Sequence, residues 1–152
     1  METLITVPDI STSEGLLRPI SADPELRHVI VCKEDEGIGI SAALSYCDKR
    51  ALMLIQNTGL LDSVNALRVV GVEYELPICL MVGLLGNDPG IPPREAKNYA
   101  VRIIQPILDA MGVEHHLLVS DADIELIGPA IDAAYEASHP VVILIGRRPE
   151  PS

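Results

Sequence analysis

A chain of 152 residues with a formal net charge of −11 is long enough to close one hydrophobic core without metals or disulfides. It is also too acidic to favour nucleic acid or an anionic membrane, since either needs a basic surface, and Arg147 and Arg148 are too few to change that. Hydrophobic residues make up 48 % of it with no Phe and no Trp, so the core is aliphatic, as in parallel sheets whose strands are buried on both faces.

The start, Met-Glu-Thr, lacks the basic and apolar regions of a signal peptide, and a first strand is expected at Leu4–Val7. No helix precedes it, so one flank of the sheet is expected to be covered by another chain, unless the true start lies upstream. Helical spacing of apolar residues follows at 12–20, then a strand at His28–Cys32, a helix at 36–48 and a strand at Ala51–Gln56. A helix at 62–70, with Asp62-Ser63 as its start signal, leads to a strand at Ile78–Val82. A helix at 95–111, ended by Gly112 in a left-handed conformation, precedes a strand at His116–Val119. The last helix, 123–137, has N-cap candidates in Ser120-Asp121-Ala122-Asp123 and leads to a strand at Val141–Ile145. The longest apolar run, Leu76 to Gly86, is too short to span a bilayer, so a soluble, cytoplasmic protein is expected.

This alternation predicts an α/β fold: a three-layer parallel sheet of about six strands, with helices on both faces and right-handed crossovers. One domain is expected over 1–147, with a Pro-rich tail, 148–152, that frays. The three cysteines, Cys32, Cys47 and Cys79, are an odd number at wide spacing. They are expected to be buried reduced thiols, with neither a zinc pattern nor a disulfide framework. In parallel sheets ligands sit at the carboxyl ends of the strands. The candidate segments are therefore Pro8-Asp9-Ile10-Ser11, Lys33-Glu34-Asp35-Glu36, Asn57-Thr58-Gly59-Leu60 and Gly83 through Gly90.

Gly37-Ile38-Gly39-Ile40-Ser41-Ala42 reads G-x-G-x-x-A, a pattern that elsewhere cradles a dinucleotide pyrophosphate. Here three acids directly precede it and would repel a diphosphate, so the glycines are expected to serve close packing of a helix on the sheet. Glu34, Asp35 and Glu36 suit a helix N-terminus through the dipole alone. The sharper alternative makes Glu34 a functional carboxyl at the tip of the second strand. Gln56, Asn57, Thr58 and Asn65 add hydrogen-bonding groups near the same strand ends. The four histidines, His28, His115, His116 and His139, are expected to be structural or exposed.

Lys33-Glu34-Asp35-Glu36-Gly37-Ile38-Gly39-Ile40, followed by the segment Gln56 to Leu67, resembles the thiamine-diphosphate enzymes of the sulfopyruvate and phosphonopyruvate decarboxylase group. Those carry an E-x-E-G-x-G-type segment and then Q-N-S-G-L-x-N/D-S-x-N-x-L. The likeness runs from about Val7 to Ile145, and the length matches a split α subunit that contains only the pyrimidine-binding domain. The resemblance implies a Rossmann-like fold of the pyrimidine-domain type. It assigns Glu34 as the catalytic carboxyl at N1′ of the cofactor's aminopyrimidine, with Glu36 as the alternative if the register is off by two. A proton or hydrogen bond at N1′ favours the imino tautomer that deprotonates the thiazolium, so the carboxyl needs dry surroundings. A 2-oxo acid then loses CO₂ with the thiazolium as electron sink.

By the same resemblance Asn57, Thr58 and Gly59 would line the cofactor cleft, while Pro8 and Asp9 would approach the substrate. No metal ligand is assigned. The G-D-G…N segment that holds Mg²⁺ and the diphosphate in this family is missing, which implies a diphosphate-binding β subunit and a hetero-oligomer. Leu85 stands where the family carries an Arg for the substrate's sulfonate or phosphonate. A Leu cannot pair with a dianion, so an uncharged 2-oxo acid becomes plausible, while Arg94, Lys97 and Arg102 read as solvated. Two other functions stay open on the residues alone: a catalytically silent assembly or regulatory subunit of the same fold, and a free-standing nucleotide-binding protein.

Overall fold

The computed structural model describes residues 3–9 and 12–149. The strands are β1 (Thr3–Thr6), β2 (Arg27–Ile30), β3 (Ala51–Gln56), β4 (Cys79–Gly83), β5 (Glu114–Leu118) and β6 (Val141–Ile145). They form one sheet in the order β2-β1-β3-β4-β6-β5, with every neighbouring pair parallel. The expected six-stranded parallel α/β architecture is therefore present. β2 and β5 start earlier than their apolar pattern indicated, at Arg27 and Glu114, because an edge strand tolerates polar residues that an interior strand does not. β1 runs inside the sheet, so the flanks are β2 and β5.

Strand residues alternate between faces, and the core divides accordingly. Ile5, Met53, Ile55, Leu80, Val82 and Leu144 point to one face. There they meet α2 (Glu34–Tyr46), α3 (Asn57–Asp62), α5 (Tyr99–Arg102) and α6 (Ile104–Met111) through Ile38, Leu60, Val101, Ile104 and Leu108. Leu4, Leu52, Cys79, Val141 and Ile143 point to the other face. There they meet Ile20 of α1 (Arg18–Ala22) and Ala130, Ile131 and Ala134 of α7 (Ile127–Ala137). Each fully buried Leu or Ile contributes about 1.5–3 kcal/mol, so the two aliphatic layers hold the sheet without aromatic residues.

Helix boundaries depart from the apolar spacing wherever polar side chains bond the backbone. α2 begins at Glu34, two residues early. Glu36 Oε2 accepts from the amides of Cys32 (3.1 Å) and Lys33 (3.3 Å), satisfying donors at the helix start. The third helix begins at Asn57, directly after β3, and Asp62-Ser63 marks an interruption rather than a start. Ser63 Oγ turns back to the carbonyl of Gly59 at 2.8 Å, competing with the helical ladder. The chain resumes as α4 (Val64–Ala66) and widens into π-helical turns at Leu67–Glu73. The stretch expected as one helix over 95–111 is broken into a 3₁₀ turn (Pro93–Glu95), α5 and α6. Asn98 caps α5 by accepting from Ala100 N, and Pro106 has no N–H for the turn before it. The Ser120 cap is as expected: Asp123 accepts from the amides of Val119 and Ser120, both at 2.8 Å. It opens a 3₁₀ stretch, Asp121–Leu126, ahead of α7.

Left-handed residues end the helices. Asp48, Glu75, Gly112 and Ser138 have φ of 55°, 53°, 68° and 51° and lie in the short connections that lead into β3, β4, β5 and β6. A Cβ on Gly37 would stand 2.5 Å from Met53 Cε, so this glycine does serve close helix–sheet packing, whereas Gly39 faces open space.

Burial of all three thiols was the wrong expectation. Cys79 is buried, but Cys32, just past edge strand β2, and Cys47, at the end of α2, are exposed. Burial pushes the Cys79 thiol up to about 12. Of the tail, Pro149 packs on Gly15, where a Cβ would stand 2.5 Å from the Pro149 carbonyl oxygen; residues 150–152 lie outside the described residues. Among the described residues no helix is long and apolar enough to cross a membrane.

Candidate functional site

The helices that follow β1 and β3 lie on opposite faces of the sheet. That divergence opens a crevice outside the carboxyl ends of these two neighbouring strands, the usual ligand position in a doubly wound sheet. Pro8 and Asp9 follow β1 there, and Asn57, Thr58 and Gly59 follow β3. Glu34 arrives from β2 as the first residue of α2.

Glu34 and Gly59 are in direct contact. A Cβ on Gly59 would collide with the Glu34 carboxyl and stand 2.6 Å from Glu34 Cγ. Glu34 is half-buried, while Gly59 is buried. The carboxyl of Glu36 is already engaged at the start of α2, so the two acids the sequence left as alternatives have separate jobs. Lys33 Nζ pairs with Asp62 Oδ2 at 3.0 Å, and that hydrogen bond holds the Lys33 ammonium above its usual range. This exposed pair fastens the start of α2 to the end of α3 at little energetic value.

Asn57 is 1 % exposed. Its Oδ1 accepts from Leu85 N at 3.1 Å, while its Nδ2 donor has no protein partner, nor does Gln56 Oε1. A buried amide left half-satisfied is uncommon and calls for an explanation. Thr58 is exposed. Asn57-Thr58-Gly59 is thus the first helical turn of α3 rather than a loop.

The segment after β4 is tied on three sides. Leu84 N donates to Ile145 O (3.1 Å), Asn87 Nδ2 to Gly146 O (2.7 Å) and Asn98 Nδ2 to Leu85 O (3.2 Å). Gly86, at φ 84°, lies so close to Asn98 that a Cβ would stand 2.5 Å from Asn98 Nδ2. Leu85 itself is 38 % exposed.

On the β1 side, Asp9 is buried, and its carboxylate accepts from Thr12 N (3.1 Å) and Thr12 Oγ1 (2.5 Å). Pro8 is exposed, and the intervening Ile10 and Ser11 lie outside the described residues. The histidines stand apart from this crevice. His28 bridges Thr6 and Ser21, His115 approaches Val113 O and Asp109, His116 meets Glu114, and His139 meets Gly112 O. Among the described residues no group of three or more His, Cys, Asp or Glu is placed to hold a metal ion.

Sequence reasoning passed over Arg147 and Arg148, which with Asn87 of the candidate segment after β4 line a cavity of about 190 Å³ between the ends of β4 and β6. The rule that residues following each strand matter would have found them after β6. They were weighed only as surface charge.

No family model matches the chain. The sulfopyruvate decarboxylase subunit alpha of Methanothermobacter thermautotrophicus is 30 % identical over 142 residues, which are 93 % of this chain and 84 % of that protein. The chain belongs to the sulfopyruvate decarboxylase α-subunit family.

Two solved structures share the fold of this α-subunit family member. A 2-oxoglutarate:ferredoxin oxidoreductase from Magnetococcus marinus matches with a TM-score of 0.64 and 17 % identity, over 97 % of this chain and 28 % of that one. A split-gene transketolase, solved as an inactive β4 tetramer, matches with a TM-score of 0.59 and 18 % identity, over 99 % of this chain and 46 % of that one. At such identities the likeness is one of fold alone, the Rossmann-like pyrimidine-domain fold of thiamine-diphosphate enzymes. The α-subunit chain spans less than half of either protein.

Proposed function

We propose that this chain is the pyrimidine-binding α subunit of a split, thiamine-diphosphate-dependent 2-oxo-acid decarboxylase, with Glu34 as the carboxyl that activates the cofactor's aminopyrimidine. The single observation that carries this is the Glu34 carboxyl, at the start of α2, lying on Gly59 in the first turn of α3. An ordinary helix-capping acid has no need of a glycine on a neighbouring helix; here only a residue without a side chain leaves room for the carboxyl.

The residues present suit the aminopyrimidine end of the cofactor. Glu34 offers a carboxyl, Asn57 an unpartnered buried Nδ2 donor, Gln56 an unpartnered Oε1 acceptor, and Gly59 a bare backbone. They do not suit its diphosphate: the acids Glu34, Asp35 and Glu36 open α2 where an anion would otherwise be welcome. A diphosphate-binding partner subunit therefore holds that end together with Mg²⁺, in a cytoplasmic hetero-oligomer. When bound, the cofactor supplies the carbon nucleophile and electron sink for loss of CO₂ from a 2-oxo acid. Glu34 holds a proton or a hydrogen bond at the aminopyrimidine N1′. Asn57 orients the ring, and Thr58 and Gly59 line the cleft beside it. Leu85, Pro8 and Asp9 face the substrate side. Glu34 is only half-buried in this chain alone, so the partner's docking completes the exclusion of water from the carboxyl.

The deciding experiment is calorimetry with thiamine diphosphate and Mg²⁺ on this chain alone and on the chain co-expressed with a diphosphate-binding partner. Binding is expected only in the complex. Glu34→Gln should leave assembly intact and abolish turnover. Unchanged turnover in that variant would remove Glu34 from the chemistry.

A further inference from the structure

We infer that Asn98 is a positioning residue for the cofactor site: by holding the backbone of Leu85 it fixes which end of the Asn57 side-chain amide a ligand meets, so that Asn57 presents a buried donor to an acceptor atom on the aminopyrimidine. This deepens, and rests on, the function proposed above. The local task of Asn98 does not require an asparagine. Its Oδ1 accepts from Ala100 N at 3.0 Å and caps α5, and a serine or an aspartate would cap as well. The amide is needed for a second bond, from Nδ2 to Leu85 O at 3.2 Å.

That carbonyl belongs to a tight turn. Asn87 N donates to Leu84 O at 3.0 Å. Gly86, the third residue, has φ 84°, whereas Leu85 is not left-handed, which makes Leu84 to Asn87 a type II turn. A type I turn of the same four residues differs chiefly by rotation of the Leu85–Gly86 peptide, and the bond from Asn98 selects one of the two. Gly86 also leaves the room for it, since a Cβ there would stand 2.5 Å from Asn98 Nδ2. The two ends of the turn are tied to the end of β6, through Leu84 N to Ile145 O and Asn87 Nδ2 to Gly146 O. Asn98 secures the central peptide, which those bonds leave free.

Leu85 N is shared between two acceptors, each at 3.1 Å, Gly83 O and Asn57 Oδ1. The second bond sets Asn57. A backbone N–H needs an oxygen opposite it, so Oδ1 must face Leu85 and Nδ2 the other way. Asn57 is 1 % exposed, and its Nδ2 has no protein partner that could fix the amide from the other end. If the turn relaxes and Leu85 N settles on Gly83 O alone, the amide is free to turn end for end. It would then present an acceptor where a donor stood.

The test uses the isotope-labelled full chain, read by NMR, and the complex assembled with a diphosphate-binding partner. In the full chain the Asn57 side-chain amide signals, assigned by their loss in N57D, should shift or broaden in N98S. The melting temperature of N98S should stay near that of the wild type, because serine keeps the α5 cap. N98A should give the same spectral change and also a lower melting temperature. In the complex, calorimetry with thiamine diphosphate and Mg²⁺ should show Kd raised about threefold to tenfold by N98S, as for the loss of one hydrogen bond. N57A should weaken binding too, and N57A/N98S no further than N57A alone, since Asn98 acts through Asn57. Unchanged Asn57 signals in N98S, an unchanged Kd, or additive losses in the double variant overturn the inference. A wild-type complex that does not bind the cofactor defeats the function proposed above instead, and the Asn57 signals then still decide whether Asn98 sets that amide.

Discussion

The carboxyl of Glu34, from the first turn of α2, rests on the bare backbone of Gly59 in the first turn of α3. Neither residue is fully legible without the other. The acid looks like a dipole partner and the glycine like a poor helix former, until the contact supplies the reason for both. Gly59→Ala should therefore push the carboxyl aside. We expect at least a tenfold loss of turnover in the assembled enzyme, with stability changed by no more than about 1–3 kcal/mol, the range for a small overpacking substitution. Kinetics and urea unfolding on one preparation separate the two effects.

Asn57→Ala removes the acceptor for the Leu85 amide and leaves that donor stranded. The expected cost is about 1–3 kcal/mol, several degrees in melting temperature for a domain of this size. Asn57→Asp keeps the acceptor and should lose less. Equal melting temperatures for wild type and Asn57→Ala would show that the bond between the β3 and β4 ends contributes nothing to stability.

Thiol reactivity should divide two to one. At pH 8 Cys32 and Cys47, both exposed, should react rapidly with a disulfide reagent. Cys79, buried and with its thiol raised to about 12, should react only on unfolding, since the thiolate is the nucleophile. Counting released chromophore before and after denaturant checks this.

The Ser120–Asp123 cap predicts a pH dependence. Hydrogen bonds from the Val119 and Ser120 amides, and then from the Ser120 hydroxyl, hold the Asp123 carboxyl below its ordinary value of 3.8. A depressed folded-state value means that the stability it confers is whole above the unfolded value and is lost as pH falls through the lower folded value. Wild type and Asp123→Ala should therefore differ in urea midpoint at pH 7, and the difference should shrink as pH falls below 3.8. A difference that persists undiminished once the carboxyl is protonated would assign the effect to something other than the charged cap.

The order of strands and helices was legible because each interior strand is a short, largely aliphatic run closed by turn residues. Boundaries were less so. The apolar count could not see Glu36 reaching back to two amides, which moves α2 forward onto Glu34. Nor could it see Ser63 bonding the Gly59 carbonyl, which turns an apparent helix start into a break. The candidate site was half legible. Glu34, Asn57 and Gly59 follow strands that lie close together, and a family segment marked them. The link from Asn57 to Leu85, and the approach of Arg147 and Arg148 to the same turn, depend on β4 pairing with β6, which no local pattern encodes.

The left-handed residues Asp48, Glu75, Gly112 and Ser138 all lie where a helix turns into the next strand, at the amino edge of a sheet whose candidate residues lie at the carboxyl edge. Three of the four carry side chains in a conformation that costs about 1 kcal/mol relative to glycine. An engineer could thus harden the molecule from one rim, with glycine at 48, 75 and 138, and retune its diet from the other. Because the strands hold the two rims apart, neither campaign need disturb the other.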